Sequence, residues 1–369
     1  MTIGVLKEPA FEARVSLLPE AVATLTKKGF TLLVENGAGE KAFSTNDDYV
    51  KAGAVISTAD DIISKAEILL AIHPFTTSVS LQSKVLVGVY QPLFTASLMK
   101  EWATKGISSF SLDMLPRTTR AQSMDVLSSQ ANIAGYKAVL LGASLYPRYF
   151  PMFMTAAGSI APAKVLILGA GVAGLQAIAT AKRLGAVVEV FDTRPAVKEE
   201  VMSLGAKFVE VEGAADASKA GGYAVEQTEE FLQRQKAKIA ESIAKADIVI
   251  TTAQIPGKKA PILITTEMIN AMRKGSIIID IASATGGNTE ITKNNETVNH
   301  NGVSIVGNSA LAATLPADAS KLYGKNVLNF LQLIITKEGA LNLNWEDDLV
   351  KGSCITFGGE VVNERVKGI

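Results

Sequence analysis

The sequence predicts an α/β protein of two doubly wound parallel-sheet domains, the second inserted in a split first. Short aliphatic runs alternate with amphipathic helical segments over nearly the whole chain, as parallel strands and their crossover helices do. The 369 residues exceed what one ordinary core holds. Hydrophobic residues make up 48% but aromatics only 6%, a balance suited to aliphatic strands buried on both faces.

In chain order, residues 1–7 read as a first strand, and apolar runs at 31–34, 68–72, 85–90 and 107–111 as further strands. Helices are expected at 19–28, where Leu18, Val22 and Leu25 recur at helical spacing, and at 59–65. Residues 122–145 read as one long helix, stopped by Pro147 and Pro151. A second α/β run begins at Lys164, with strands at 165–168, 187–191, 208–211, 248–252, 276–281 and 303–306. Helices at 173–184, 196–204, 231–244 and 266–272 fall between them, which completes a doubly wound domain. Residues 213–228, rich in Gly, Ala and Ser, are expected to form a mobile surface loop. A helix is expected at 317–335, and the residues after it should pack back on the first domain. The domains are thus set at 1–130 plus 320–369, and at 140–318.

Lys+Arg and Asp+Glu are 36 each, so no net field draws nucleic acid or an anionic membrane. Cys354 is the single cysteine; it forms no internal disulfide and belongs to no metal-ligand spacing, and a reducing compartment fits. No basic stretch followed by an apolar one precedes the first strand, so no signal peptide is expected. The longest apolar run, 165–181, is interrupted by Gly169, Gly171 and Gly174. A membrane crossing needs about 20 apolar residues. The chain is therefore expected to be soluble and to stay out of lipid, while remaining able to sit against a membrane protein.

The segment Gly169-Ala170-Gly171-Val172-Ala173-Gly174 follows a strand and opens a helix, the context in which G-x-G-x-x-G acquires meaning. The first glycine allows the tight turn, and the second lets backbone approach a pyrophosphate. The third lets helix and strand pack closely, while the helix N-terminus favours the phosphate charge. Such turns also start helices for packing reasons alone. Here the second strand ends on an acid about twenty residues on, Asp192, placed to hold ribose hydroxyls. Strand, turn, helix, strand and acid together predict a Rossmann-like NAD(H) site comprising Gly169, Gly171, Val172, Ala173, Gly174, Asp192, Thr193 and Arg194. The charge of Asp192 would repel a 2′-phosphate and favour NAD over NADP. Arg194 is expected to pair with a nearby carboxylate or with the pyrophosphate.

Acid–base groups are scarce. His300 lies in a polar stretch, 294–302, expected to be a solvated turn. His73 ends a strand and is the best acid–base candidate, although a structural histidine is the commoner outcome there. Such scarcity suits a pure hydride transfer, which has no proton to manage. The most concentrated polar segment is 116–130, where Asp125 and Ser128 share one helical face with Gln122 a turn earlier. An amide acceptor and donor pair suits a nicotinamide carboxamide, and Arg117 could reach a phosphate or the carboxamide oxygen. A capped helix start, with Ser or Thr as cap and Asp in the first turn, explains the same residues, and from composition alone it is the better explanation.

The motifs Gly4-Val-Leu-Lys-Glu8, Arg14-Val15, Leu18-Pro-Glu20 and Val34-Glu-Asn-Gly-Ala-Gly39 resemble the family shared by alanine dehydrogenase and nicotinamide nucleotide transhydrogenase. Arg120-Ala-Gln-Ser-Met-Asp-Val-Leu-Ser-Ser-Gln130, Asp192-Thr-Arg-Pro-Ala-Val-Lys-Glu199, Gly221-Gly-Tyr-Ala224 and Thr251-Thr-Ala-Gln-Ile-Pro-Gly257 are similar to the transhydrogenase branch in particular. The chain departs from that branch at Ala282-Ser-Ala-Thr-Gly-Gly-Asn288, at Gln254 and at Asn308-Ser-Ala-Leu-Ala312. The resemblance implies an NAD(H)-binding alpha subunit that passes hydride to NADP(H) bound by a partner beta subunit. It also implies membrane-spanning partner subunits that translocate protons, a homodimer, and a peripheral place on the cytoplasmic face of a bacterial inner membrane. Carried over, Arg117, Asp125 and Ser128 fix the nicotinamide and Gln122 bridges to the second nucleotide. Gln130, Asn132 and Ala253 join the cofactor set, and Tyr223 sits on a loop that closes over NAD(H).

Two other readings compete. Alanine dehydrogenase uses an arginine at the place of Arg14 for its substrate carboxylate. Its catalytic lysine and histidine are missing here: His73 stands near the one and Tyr90-Gln91 near the other. A non-catalytic NAD sensor would follow if segment 116–130 were only a helix start.

Overall fold

The computed structural model describes residues 1–211, 228–336 and 338–369, with Phe231 as backbone only. Tyr223 and the loop expected around it, up to residue 227, lie outside the described residues. The chain divides into two compact units, Met1–Gln130 with Ala313–Ile369, and Ala131–Ala312.

The first unit opens with six strands: β1 (Thr2–Val5), β2 (Thr31–Glu35), β3 (Val55–Ser57), β4 (Ile68–Leu70), β5 (Val85–Gly88) and β6 (Ser108–Ser111). They run parallel in the order β6-β5-β4-β1-β2-β3, so the winding reverses between β1 and β4. Alternate residues feed opposite faces. Ile3, Val5, Leu32, Val34, Ile68, Leu70, Val85 and Val87 enter one core, and Leu33, Leu69 and Leu86 the other. At Gly4 an added Cβ would fall 2.4 Å from Ile62, so glycine is what lets the helix Ala59–Lys65 lie against β1. The three-residue edge strand β3 was not expected from the sequence, because it is too short and too exposed to show an apolar alternation.

The first strands of the second unit form the hairpin β7 (Phe153–Thr155) and β8 (Gly158–Ile160). Seven strands follow: β9 (Lys164–Leu168), β10 (Val187–Phe191), β11 (Lys207–Phe208), β12 (Ile248–Thr251), β13 (Ile277–Asp280), β14 (Glu296–His300) and β15 (Val303–Gly307). Their order is β11-β10-β9-β12-β13-β15-β14, all parallel except β14. Without β14 this is the doubly wound 3-2-1-4-5-6 order, with its switch point between β9 and β12. The polar stretch around His300 is therefore an antiparallel edge strand and not a turn; its polarity reflects exposure of an edge, and His300 Nε2 lies 2.9 Å from Asn270 Oδ1.

The chain then returns to the first unit. The helix Pro316–Ile334 lays Tyr323, Val327, Phe330, Leu331 and Ile334 into its core. β16 (Cys354–Phe357) pairs antiparallel with β6, and β17 (Glu360–Val361) with β16. The fold is α/β with parallel-dominated, Rossmann-like sheets. The single long helix expected at 122–145 is instead a 3₁₀ helix, Thr119–Met124, an extended residue at Asp125, and the helix Val126–Leu145.

Candidate functional site

In the second unit the three glycines of the turn do three different things. Gly169 has φ +103°, a left-handed conformation, and an added Cβ would meet Thr252 Oγ1 at 2.4 Å. At Gly174 an added Cβ would come 1.9 Å from the Gly169 carbonyl, so the helix Val172–Arg183 packs directly on the turn. At Gly171 an added Cβ would meet nothing within 4 Å, and no side chain caps this helix N-terminus. The backbone N–H groups at the start of this helix, around Val172 and Ala173, are therefore first-turn donors without a side-chain cap. That suits a dinucleotide pyrophosphate. On the helix Val126–Leu145, Gly135 lies against the Ala173 carbonyl, and Asn132 Nδ2 donates to Gln176 Oε1 at 3.3 Å.

Asp192 immediately follows β10 and its carboxylate spans the turn. Oδ2 accepts the Ala170 N–H at 2.7 Å, and Oδ1 accepts the Arg194 N–H at 2.8 Å, across Thr193. Arg194 adds a fork, Nε to Oδ1 at 2.9 Å and Nη2 to Oδ2 at 2.7 Å. These hydrogen bonds to Asp192 push the Arg194 pKa above its ordinary value. The expectation that Arg194 pairs with a nearby carboxylate is met by Asp192 itself. Ala253 follows β12, and its N–H and C=O both bond the side-chain amide of Asn288, at 3.1 and 2.9 Å. Asn288 also donates to the Pro261 carbonyl, and its own N–H bonds buried Asp280. Asn288 and Asp280 were not singled out from sequence; the Gly-Gly-Asn after a strand ending in Asp was the available signal.

In the first unit, Arg117, Asp125 and Ser128 form one cluster. Ser128 donates to Asp125 from its N–H at 2.8 Å and from its hydroxyl at 2.6 Å. Arg117 Nη2 lies 3.3 Å from Ser128 Oγ and 3.8 Å from Asp125 Oδ2. Gln122 is exposed on the preceding 3₁₀ helix. That helix is fastened by Asn326 and Asn329, which donate to the Ser123 carbonyl at 2.8 and 2.9 Å, and by Arg120 on Asp347. Gln130 points elsewhere: its Oε1 accepts from Arg14 and its Nε2 donates to the Ala319 carbonyl.

Arg14 leads to a further buried cluster in this unit. Glu12 accepts from Arg14 Nε at 2.9 Å and Nη2 at 2.7 Å, and its Oε2 lies 2.8 Å from His73 Nε2. Burial raises the Glu12 pKa, but the bonds from His73 and Arg14 outweigh it and hold the carboxyl well below the carboxylate range. Burial pushes Glu8 up to about 7, although it accepts the Ile72 and His73 N–H groups. The hydroxyls of Tyr90 and Tyr323 are buried without a hydrogen-bond partner. Among the described residues no group of three His, Cys, Asp or Glu side chains could hold a metal ion, and no helix is long and apolar enough to cross a membrane.

The fold and the turn define a two-unit α/β protein with a dinucleotide-type site in its second unit. Residues 4–134 match the Alanine dehydrogenase/PNT N-terminal domain and residues 138–364 the C-terminal domain. The chain belongs to the alanine dehydrogenase/PNT family, in which NAD(H) binding is the common property. It is 45% identical to an NAD(P) transhydrogenase subunit alpha chain of Rhodospirillum rubrum, over 97% of this chain and 96% of that one. For the protein of the same name in Rickettsia prowazekii the figures are 43%, 100% and 97%. The crystal structure of transhydrogenase from Sinorhizobium meliloti superposes with a TM-score of 0.89 at 43% identity, covering 98% and 100%. An alanine dehydrogenase, from Mycolicibacterium smegmatis, is 29% identical over 75% of this chain and 70% of that one.

Proposed function

We propose that this chain is the NAD(H)-binding alpha subunit of a proton-translocating transhydrogenase, exchanging hydride between its NAD(H) and NADP(H) held by a partner beta subunit. The observation that carries the reading is the open Gly171 backbone at the head of a helix, with the Asp192 carboxylate bonded to the same turn. NAD(H), when bound, supplies the hydride donor or acceptor. The backbone of Gly169, Gly171, Val172, Ala173 and Gly174 receives the pyrophosphate, and Asp192, with Thr193 and Arg194 beside it, the adenosine ribose. Arg117, Asp125 and Ser128 orient the nicotinamide, and Gln122 reaches toward the partner's nucleotide. Gln130, Asn132 and Ala253 support these contacts. The subunit works as a homodimer on the cytoplasmic face of the membrane, beside membrane-spanning partners that couple the exchange to proton movement.

Alanine dehydrogenase chemistry needs an arginine ready for a carboxylate and a proton acceptor. Here Arg14 already holds Glu12 and Gln130, and His73 is held by the same Glu12. This favours the transhydrogenase reading. Three measurements test it: NADH titration by fluorescence, hydride transfer from NADH to an NADP analogue with the partner subunits present, and NADH oxidation with pyruvate and ammonium. Activity in the last without the second would mark an alanine dehydrogenase. NADH binding with neither would mark a sensor.

A further inference from the structure

All the acceptor capacity of Asp192 is in use. An ionised carboxylate offers about four lone-pair positions. Two are taken by main-chain N–H groups, Ala170 on Oδ2 and Arg194 on Oδ1. The other two are taken by one guanidinium, with Arg194 Nε on Oδ1 and Nη2 on Oδ2. The main-chain donors are fixed by the glycine turn and by the bend after β10. The guanidinium is on a flexible stem. Its two N–H groups, one for each oxygen, present the donor pattern of a vicinal diol. A diol and this fork cannot occupy the carboxylate together.

We propose that Arg194 is an internal stand-in for the ribose diol: the dinucleotide enters only as the guanidinium leaves Asp192, and this exchange selects NAD(H) over NADP(H). The inference rests on the NAD(H) reading above and concerns which residue opposes and sorts the ligand. An unmodified ribose replaces both N–H donors and leaves the carboxylate as fully bonded as before. A 2′-phosphorylated ribose keeps one hydroxyl and replaces only one of them. The Asp192 side chain is 6% exposed, so an acceptor left without a donor there is costly. Once the guanidinium has left, the Asp192 charge also opposes a 2′-phosphate, in the same direction as the count of donors.

The test compares the parent chain with Arg194→Met, which removes the fork, and Arg194→Lys, which keeps the charge but not the fork. NADH and NADPH are titrated by fluorescence. Removing the competitor should lower the NADH dissociation constant about fivefold in Arg194→Met and less in Arg194→Lys, and NADPH should not tighten in either. Weaker or unchanged NADH binding in Arg194→Met would make Arg194 a cofactor ligand or a bystander and overturn the proposal. The ¹⁵N-resolved Nε–H signal of Arg194, assigned by its loss in Arg194→Met, supplies a readout that needs no stable variant in the binding assay. It should be protected from exchange in the free parent chain and become labile on saturation with ADP-ribose. A signal still protected in the saturated protein sinks the exchange while leaving NAD(H) binding intact. Failure of the parent chain to bind NADH or ADP-ribose at all removes the NAD(H) reading and this proposal with it.

Discussion

Ser128 gives both its backbone N–H and its hydroxyl to the two oxygens of one carboxylate, that of Asp125. Asp125 stands immediately before the helix Val126–Leu145, so it caps that helix while also meeting Arg117. Capping and the proposed orientation of the ligand thus fall to one side chain, and substitutions can separate them. Asp125→Ala should cost about 1 kcal/mol of stability, read from the denaturant midpoint. Asp125→Asn keeps a competent cap but removes the charge that holds Arg117. It should leave stability nearly unchanged and raise the NADH dissociation constant. Unchanged NADH affinity in Asp125→Asn would reduce this segment to a helix start.

Gln122→Asn shortens the amide by one methylene on a 3₁₀ helix that Asn326 and Asn329 keep in place. Hydride transfer is sensitive to small errors in donor–acceptor placement. In the complex with its partner subunits the single-turnover transfer rate should fall at least about tenfold, roughly 1.4 kcal/mol of barrier. NADH affinity should barely move. The opposite pattern, weaker NADH binding with an intact transfer rate, would make Gln122 an ordinary cofactor ligand.

Asp192→Asn replaces an acceptor of four donors by an amide with one acceptor oxygen. NADH should bind more weakly and NADPH should lose less, so the ratio of the two dissociation constants narrows. Equal affinity for both cofactors in the unsubstituted chain would defeat the assignment of Asp192 before any variant is made.

Glu8 and Glu12 give stability opposite pH dependences. Glu8 binds its proton more tightly folded, near pH 7, than unfolded, near 4.5. Its contribution is complete below 4.5 and is lost as pH rises through about 7. Glu12 is held low by His73 and Arg14, so its contribution is present above 4.5 and is lost in acid. Glu8→Gln should therefore flatten the fall in unfolding free energy between pH 5 and 8, a fall of about 3 kcal/mol from this group if nothing else titrates. An unaltered slope in Glu8→Gln, measured by denaturant titration at several pH values, would show that Glu8 is ionised throughout.

The hairpin β7–β8 exposes all six of its residues, and no charged residue occurs from 149 to 162. Tyr149 stacks on Phe153, and Met152 and Met154 are 64% and 70% exposed. A lone two-stranded hairpin is marginal in water, and a charge-free patch can face its own copy without repulsion. A homodimer using this hairpin should be disrupted by Met154→Asp, which would place like charges at a two-fold contact. Sedimentation of the parent chain as a monomer at micromolar concentration would refute the dimer. Partition of the parent chain into lipid vesicles would assign the hairpin to a membrane surface instead.

Much of the architecture was legible in the chain because parallel strands and crossover helices imprint their periods on the sequence. Strand β10 and the helix Ala59–Lys65 fall where the apolar pattern puts them, and the glycine turn sits between β9 and its helix. Elements too short or too exposed to show a period, such as β3, β14 and the β7–β8 hairpin, left no such imprint. At Asp125 the sequence allowed both one long helix from 122 and a helix start within 116–130, and only the backbone chose between them.

By itself the sequence determined two doubly wound sheets, the glycine turn, the acid at the end of β10 and the absence of a spanning segment among its apolar runs. Those features are local, carried by spacing within a few dozen residues. Tertiary structure decided which partners the polar side chains take. Glu12 holds His73, Gln130 serves Arg14 and the Ala319 carbonyl, and Asn288 bonds Ala253. A hydrogen bond between residues far apart in sequence depends on where whole strands and helices bring them, and the Gln130–Ala319 bond, for one, joins residues from the two chain segments of the first unit. Residue identities alone carry no record of that meeting.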